Sequence, residues 1–360
     1  MPLTILLTGG TGCVGYAVTK ALFAHYAASK PTLHILDIAT PSPSASTFVV
    51  DVAQYHTADI TDAAAVSALI ASLAPDVIVH SAAVIPSAAG KARMSKQRLR
   101  EVNVGGTRNV LEAAEKCGNV KAVVYTSSCD AVKPDSWMDF VNATEKDTAD
   151  LVDAAKWDGD YARTKADAEK LVLSSSWHFN TCAIRTHAVI GTHDQNLFPL
   201  IATSPRNISI GSGKNLYDFT SADNVGLAHV LAVDNLLSAS ATANRLAFFV
   251  TDGDPRPFRE LQEMIWRTVD SSSSSSSSSP PSTSTSYTKL PSWLVAGILR
   301  FIALFTTPAV SAAEIGDACA TRYYDISLAK EVLGYVPGKT LLESMADDCL
   351  SWRARMAENK

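Results

Sequence analysis

The stretch Thr8-Gly9-Gly10-Thr11-Gly12-Cys13-Val14-Gly15 constrains this chain more than any other, because it stands between a strand-like run, Leu3 to Leu7, and a helical pattern over Gly12 to Ala28. In a strand-turn-helix setting the glycines of T-G-x-x-G-x-x-G have separate tasks. They permit a tight turn, let the backbone approach a pyrophosphate and allow close helix-sheet packing, while the helix N-terminus presents free N–H groups. A glycine-rich turn with no ligand is the bland alternative. Against it stands Asp37, an acidic residue at the end of the next strand-like run, Thr32 to Leu36. A carboxylate there accepts hydrogen bonds from an adenosine ribose and repels a 2'-phosphate. Gly9, Gly12, Gly15 and Asp37 are therefore expected to hold NAD rather than NADP. Asp59 follows a short strand and has two readings, a contact to the adenine edge or a cap ahead of Thr61 and Asp62.

The first half alternates aliphatic runs with longer helical patterns, the signature of βαβ units and a parallel sheet. Strands are expected at Leu3–Thr8, Thr32–Leu36, Val77–His80, Val120–Thr126 and Cys182–Arg185, with helices at Gly12–Ala28, Asp62–Ala74, Leu99–Cys117 and Tyr161–Ser176. The expected fold is α/β, a doubly wound parallel sheet of Rossmann type over residues 1–185, with a smaller substrate-binding region over 186–360. In that second part, turn signals at Gly211-Ser212-Gly213 and Asp252-Gly253-Asp254-Pro255 flank a helix near Ala222–Leu237 and a strand at Leu246–Thr251. Residues 271–286 carry a serine tract running into Pro280-Pro281, with too little apolar surface to offset its ordering entropy, and are expected to be a disordered insertion. Leu290 to Phe305 is apolar except for Arg300. As a helix it falls short of a bilayer's hydrocarbon core, leaving a buried helix over the substrate pocket or an interfacial helix as the two readings.

Composition excludes several classes. With 31 Lys and Arg against 36 Asp and Glu, and a formal net charge of -5, the chain lacks the basic excess of a nucleic-acid binder. The six cysteines, at 13, 117, 129, 182, 319 and 349, show no C-x-x-C pair, so no metal site is expected and free thiols in a reducing compartment fit best. No secretory signal pattern precedes the first strand.

Chemistry enters with Tyr161-Ala162-Arg163-Thr164-Lys165 on an expected helix. The i, i+4 spacing sets the phenol and the ammonium one turn apart on the same face. A nearby cation favours the phenolate, so Tyr161 can serve as a general base. The pattern is common on solvated helix faces. It gains weight because Thr126-Ser127-Ser128 ends the preceding strand, where a hydroxyl can hold a substrate oxygen.

Thr8 to Gly15, Asp37, His80-Ser81-Ala82-Ala83, Asn103-Val104-Gly105-Gly106-Thr107, Thr126-Ser127-Ser128 and Tyr161 to Lys165 together resemble the extended short-chain dehydrogenase/reductase superfamily. Gly211 to Thr220, Asp223-Asn224-Val225 and Ala247 to Pro255 resemble its narrower 3β-hydroxysteroid dehydrogenase and sterol-4α-carboxylate 3-dehydrogenase (decarboxylating) family. The resemblance implies Ser128, Tyr161 and Lys165 as catalytic residues, with Ser127 as the fallback for Ser128. It places Asn103 beside the cofactor and Lys165 on the nicotinamide ribose. The implied activity is NAD-dependent oxidation of a secondary alcohol on a small apolar polycyclic substrate, a sterol or sterol-like terpenoid. It also implies a membrane-associating segment where Leu290 to Phe305 falls, favouring the interfacial reading and the cytosolic face of the endoplasmic reticulum; a second copy of the chain is a further candidate partner. Two departures touch the substrate side: Arg185-Thr186-His187 replaces the usual Arg-Pro pair, and Ser221-Ala222-Asp223 lacks the usual aromatic. The rival readings are a sugar-nucleotide epimerase or dehydratase on the same scaffold, and a non-catalytic NAD-binding protein.

Overall fold

A computed structural model of the chain describes residues 2–39, 53–85, 94–154, 157, 159–271, 287–306 and 310–358. The Ser/Pro insertion expected at 271–286 lies outside them but for Ser271, which ends a helix.

Seven parallel strands form the central sheet: β1 (Thr4–Thr8), β2 (Thr32–Asp37), β3 (Ala53–Thr57), β4 (Val77–His80), β5 (Ala122–Ser128), β6 (Asn180–Thr186) and β7 (Leu246–Val250). Their spatial order is β7-β6-β5-β4-β1-β2-β3. Order reverses between β1 and β4, and a doubly wound sheet binds its ligand at the carboxyl ends of the strands flanking such a switch. Ile5, Leu7, Val77, Val79, Val124 and Ile184 pack on one face, Leu6, Ile78, Val123 and Ala183 on the other, each buried. Strands covered on both sides can be continuous aliphatic runs, as β1 and β4 are.

Helices α1 (Cys13–Tyr26), α2 (Ala63–Leu73), α3 (Thr107–Cys117), α4 (Asp160–Val172) and α5 (Ala222–Leu237) cover the sheet. Asp62 caps α2, accepting from the N–H groups of Ala64 and Ala65. The helix expected over Leu99–Cys117 is interrupted: Lys96–Arg100 is α-helical, Glu101–Gly106 is a π turn, and α3 follows. Such turns often mark functional sites, and this one holds Asn103.

Strand β7 and helix α5 follow residue 186 yet join the sheet layer, with β7 paired to β6 from Leu246↔Cys182 to Val250↔Thr186. The remainder of the second half builds smaller sheets, one of which takes a strand from the first half. Arg256–Pro257, Leu216–Tyr217, Arg322–Tyr324 and Phe140–Ala143 form one in that order. Helices α6 (Ser292–Ile302) and α7 (Ala312–Cys319) of this part pack against each other. All six cysteines are free thiols.

Candidate active site

The glycine turn occupies the switch point, and its glycines answer to different constraints. Gly9 has φ +76, and a Cβ there would lie 2.7 Å from the Ala82 backbone. At Gly15 a Cβ would lie 2.0 Å from the Gly9 carbonyl oxygen. Neither position admits a side chain. At Gly12 the nearest atom to an added Cβ is 3.7 Å away, so packing within the chain does not require glycine there. Gly12 is also the N-cap of α1, and no side chain caps that helix. Helix N–H groups without a side-chain cap are what a pyrophosphate cradle needs. Asp37 ends β2 beside the turn, its carboxylate accepting from the N–H (3.0 Å) and hydroxyl (2.7 Å) of Thr11 and from the N–H of Ile38 (2.7 Å). These residues fit NAD.

Asp59 accepts from the Thr61 N–H at 2.9 Å and from Arg98 at 2.7 Å; burial pushes its carboxyl up, but the Thr61 N–H and the Arg98 guanidinium outweigh it and keep the carboxyl below the usual range. Asn103 is buried and braces the loop after β4. Its amide donates to the Val84 carbonyl (2.9 Å) and to Thr164 (3.0 Å), and its oxygen accepts from the Val84 N–H (2.8 Å). Thr164 lies on α4, so Asn103 ties the cofactor side of the sheet to the helix carrying Tyr161 and Lys165.

His80, at the end of β4, adds a second tie. Its Nδ1 lies 2.7 Å from the Thr8 hydroxyl and its Nε2 2.9 Å from the Thr107 hydroxyl. The Thr107 hydroxyl donates to the Asn103 carbonyl, so His80 Nε2 must donate to Thr107 and Nδ1 accept from Thr8. The ring is neutral, and burial drives its pKa down to about 3.

Ser128 ends β5, where its hydroxyl accepts from the Asp130 N–H at 3.1 Å and lies beside the Tyr161 phenol. Adjacent strand residues point to opposite faces. The Ser127 hydroxyl accordingly turns the other way and donates to Glu169 at 2.6 Å. It is committed to a structural partner, which leaves Ser128 as the hydroxyl beside the phenol. Lys165 is 3% exposed and donates to the Thr126 carbonyl at 2.8 Å and to the Tyr125 hydroxyl at 3.3 Å. Burial lowers its pKa to about 8, against the opposing pull of Glu169 and Asp130. Burial, followed by the Asp130 charge, raises Tyr161 above the ordinary phenol range, while the Ser128 hydrogen bond pulls it back.

Two participants escape the motif. Glu169 continues the Tyr161, Lys165 row at the next i+4 position, a spacing visible in the sequence, and takes a buried salt bridge from Arg185 at 2.6 Å. His229, on α5, accepts from the Thr126 hydroxyl at 2.8 Å while its Nδ1 donates to the Val225 carbonyl. Only tertiary packing reveals that contact, which spans 103 residues. Thr186, next after Arg185, extends β6 in register with Ser128 and Val250. His187 then packs its ring on Tyr217 at 4.7 Å and Tyr324 at 5.3 Å. No cluster of three or more His, Cys, Asp or Glu capable of holding a metal occurs among the described residues.

The fold is shared with UDP-glucose 4-epimerase of Thermotoga maritima, with a TM-score of 0.71 at 16% identity over 98% of this chain and 100% of that one. In sequence, the chain is 31% identical over 287 residues to sterol-4-alpha-carboxylate 3-dehydrogenase, decarboxylating, of Schizosaccharomyces pombe, covering 78% of this chain and 79% of the relative. Its Saccharomyces cerevisiae counterpart is 29% identical, covering 97% of each. The model of the 3-beta hydroxysteroid dehydrogenase/isomerase family matches residues 6–280, from the first strand through the glycine turn, the Ser128 strand end and the Tyr161–Lys165 helix. The chain belongs to the 3-beta hydroxysteroid dehydrogenase/isomerase family.

Proposed function

We propose that the protein oxidises a secondary, 3β-type hydroxyl on a sterol or sterol-like terpenoid to the ketone with NAD, and that loss of a C4 carboxyl group follows where the substrate carries one. The observation that carries this reading is the meeting of Tyr161 with Ser128 at the end of β5, beside the buried Lys165. The Ser128 hydroxyl holds the substrate oxygen while the Tyr161 phenolate oxygen takes its proton. Lys165 lowers the cost of that phenolate by placing a positive charge on the same helix face and binds the nicotinamide ribose. Bound NAD supplies the hydride acceptor. Gly9, Gly12 and Gly15 admit the pyrophosphate, and Asp37 takes the ribose. A ketone β to a carboxylate makes decarboxylation facile, as the names of the two yeast relatives, decarboxylating 3-dehydrogenases, also indicate.

The reading extends to where the enzyme works. No described helix is long and apolar enough to cross a membrane. Yet α6 buries only Ala296, while Trp293, Leu294, Ile298, Phe301 and Ile302 face outward, as do Leu304 and Phe305 just beyond it. At 1.5 Å per residue the helix is about 16 Å long. Such a helix lies in a membrane surface, with Lys289 and Arg300 reaching toward headgroups. The cytosolic face of the endoplasmic reticulum would set the site next to the phase that dissolves its substrate.

The test is NADH formation, followed by absorbance, when purified protein meets a panel of 3β-hydroxysteroids with and without a 4-carboxylate. Turnover of the carboxylates with carbon dioxide release is expected. Turnover of nucleotide sugars instead would transfer the chain to the epimerase reading, and no turnover of either would leave a cofactor-binding protein.

A further inference from the structure

We propose that Glu169 is a positioning residue of this site: its buried carboxylate, gripped by Arg185 and Ser127, holds the Thr126–Ser128 strand end against α4 and supplies the negative charge facing the Lys165 ammonium. The proposal rests on the role assigned to Lys165 above.

Tyr161, Lys165 and Glu169 follow one another at i, i+4 and i+8 on α4, so they form one row on a single helix face. Glu169 is 1% exposed and its partner Arg185 5%. Arg185 donates Nη2 to Oε1 at 2.6 Å and Nε to both oxygens, at 3.2 and 3.1 Å, while the Ser127 hydroxyl donates to Oε2 at 2.6 Å. Arg185 and Ser127 are register partners on β6 and β5. One side chain of α4 therefore fastens two adjacent strands at the level of Ser128.

The same row fastens the strand twice. Lys165 holds the carbonyl of Thr126, and Glu169 holds the hydroxyl of Ser127, so residues on either side of the Ser127 peptide are bound to α4. Ser128, the next residue, inherits its position relative to Tyr161 from these contacts. A lysine this deeply buried favours its neutral form, and a neutral amine cannot stabilise a phenolate. Its charged and titratable neighbours are Glu169 on its own helix, Asp130 after β5, Tyr125 on β5 and His80 on β4, whose ring is neutral. Tyr161 completes the set one turn away on the same face. Of the two anions, Glu169 exerts the larger pull toward the charged lysine.

The experiment compares the parent with Glu169→Gln, Glu169→Asp and the double variant Glu169→Gln/Arg185→Met. The double variant removes the guanidinium that the single change would strand in the interior; because an anion and a cation leave together, its Lys165 midpoint should fall by less than that of Glu169→Gln, and if the single variant does not fold, Glu169→Asp carries the test. The Lys165 titration is followed by NMR of lysine-labelled protein without cofactor, and kcat by its pH profile with NAD. Loss of the carboxylate should move the Lys165 midpoint down by about one pH unit, with the alkaline limb of kcat following it, and Glu169→Asp should restore part of both. An unchanged midpoint and a pH profile that is only scaled down would overturn the proposal and leave Glu169 a structural ion pair. Lys165→Ala separates the two claims: if it retained turnover, the role of Lys165 would fail, while the NMR midpoint would still decide that of Glu169.

Discussion

Helices α4 and α6 invert the rule that apolar helices are buried and polar ones exposed. In α4, Asp160–Val172, the buried residues include Thr164, Lys165 and Glu169. In α6, Ser292–Ile302, a nearly continuous apolar sequence leaves Trp293 72% and Phe301 64% exposed. The inversion has a physical basis in each case. Burying a polar group is costly unless it finds partners, and Thr164, Lys165 and Glu169 of α4 do, in Asn103, Thr126, Ser127 and Arg185. Such an arrangement demands many coordinated residues and marks chemistry. The exposed aromatic and aliphatic surface of α6 has no counterpart within the described chain, and a contiguous apolar face of that kind marks an interaction surface. On the proposed reading, the buried polar helix and the exposed apolar one serve two ends of one function, reaction and access to substrate.

The strongest way to break the comparison is Tyr161→Phe. It removes one oxygen from the α4 row, and turnover should fall by at least about a thousandfold while NAD affinity, measured by fluorescence titration, stays within a few-fold. Retention of more than about a tenth of the turnover would strip α4 of its chemical meaning. The complementary experiment substitutes Trp293, Ile298, Phe301 and Phe305 of α6 and its extension with serine. Cosedimentation with liposomes should drop by about tenfold or more, with oxidation of a small soluble alcohol preserved. No liposome binding by the parent, together with aggregation of the variant, would make α6 a misassigned core element.

A smaller effect is expected at Asp37. NAD should exceed NADP in kcat/KM by about tenfold or more, and Asp37→Ala should narrow that ratio. Equal efficiency of the parent with both cofactors would remove Asp37 from the ribose.

The smallest effects concern stability and divide the molecule by pH. His80 and His229 pack on the sheet with pKa values lowered by burial to about 3 and about 4. Between those values and about 6.5 the unfolded chain binds more protons, so each histidine removes stability as pH falls through that window, by up to about 1.4 kcal/mol per unit. Buried carboxyls of the second half act oppositely. Asp218 is raised to about 7 and Asp348 to about 9, both mainly by burial. Their folded forms hold the proton that the unfolded chain releases near pH 4, so the stability they contribute is full below that pH and is lost as pH rises toward the folded values. Asp348→Asn should leave the Tm unchanged at pH 4 and raise it by about 2 °C at pH 8, by calorimetry. An increase at pH 4 would mean that some other property of Asp348 limits stability.

The sequence by itself determined the glycine turn and the strand ends around it. Gly9 and Gly15 admit no side chain for reasons of local turn geometry and close packing, and Asp37 and Ser128 end strands whose aliphatic patterns are plain. The Tyr161–Lys165 pair was legible for the same reason, since an i, i+4 spacing is a property of one helix. Tertiary structure alone decided what surrounds that pair. Residue type alone does not separate Ser127 from Ser128, although the family resemblance put Ser128 first; the docking of α4 on β5 commits Ser127 to Glu169 and leaves Ser128 beside Tyr161. Likewise β7 and α5, remote in sequence, complete the sheet and bring His229 to Thr126. The apolar run at 290–305 was compatible with burial or exposure, because hydrophobicity states a preference for leaving water without naming the surface that will receive it. The packing left that face outward, and the surface that receives it is a question the liposome experiment answers.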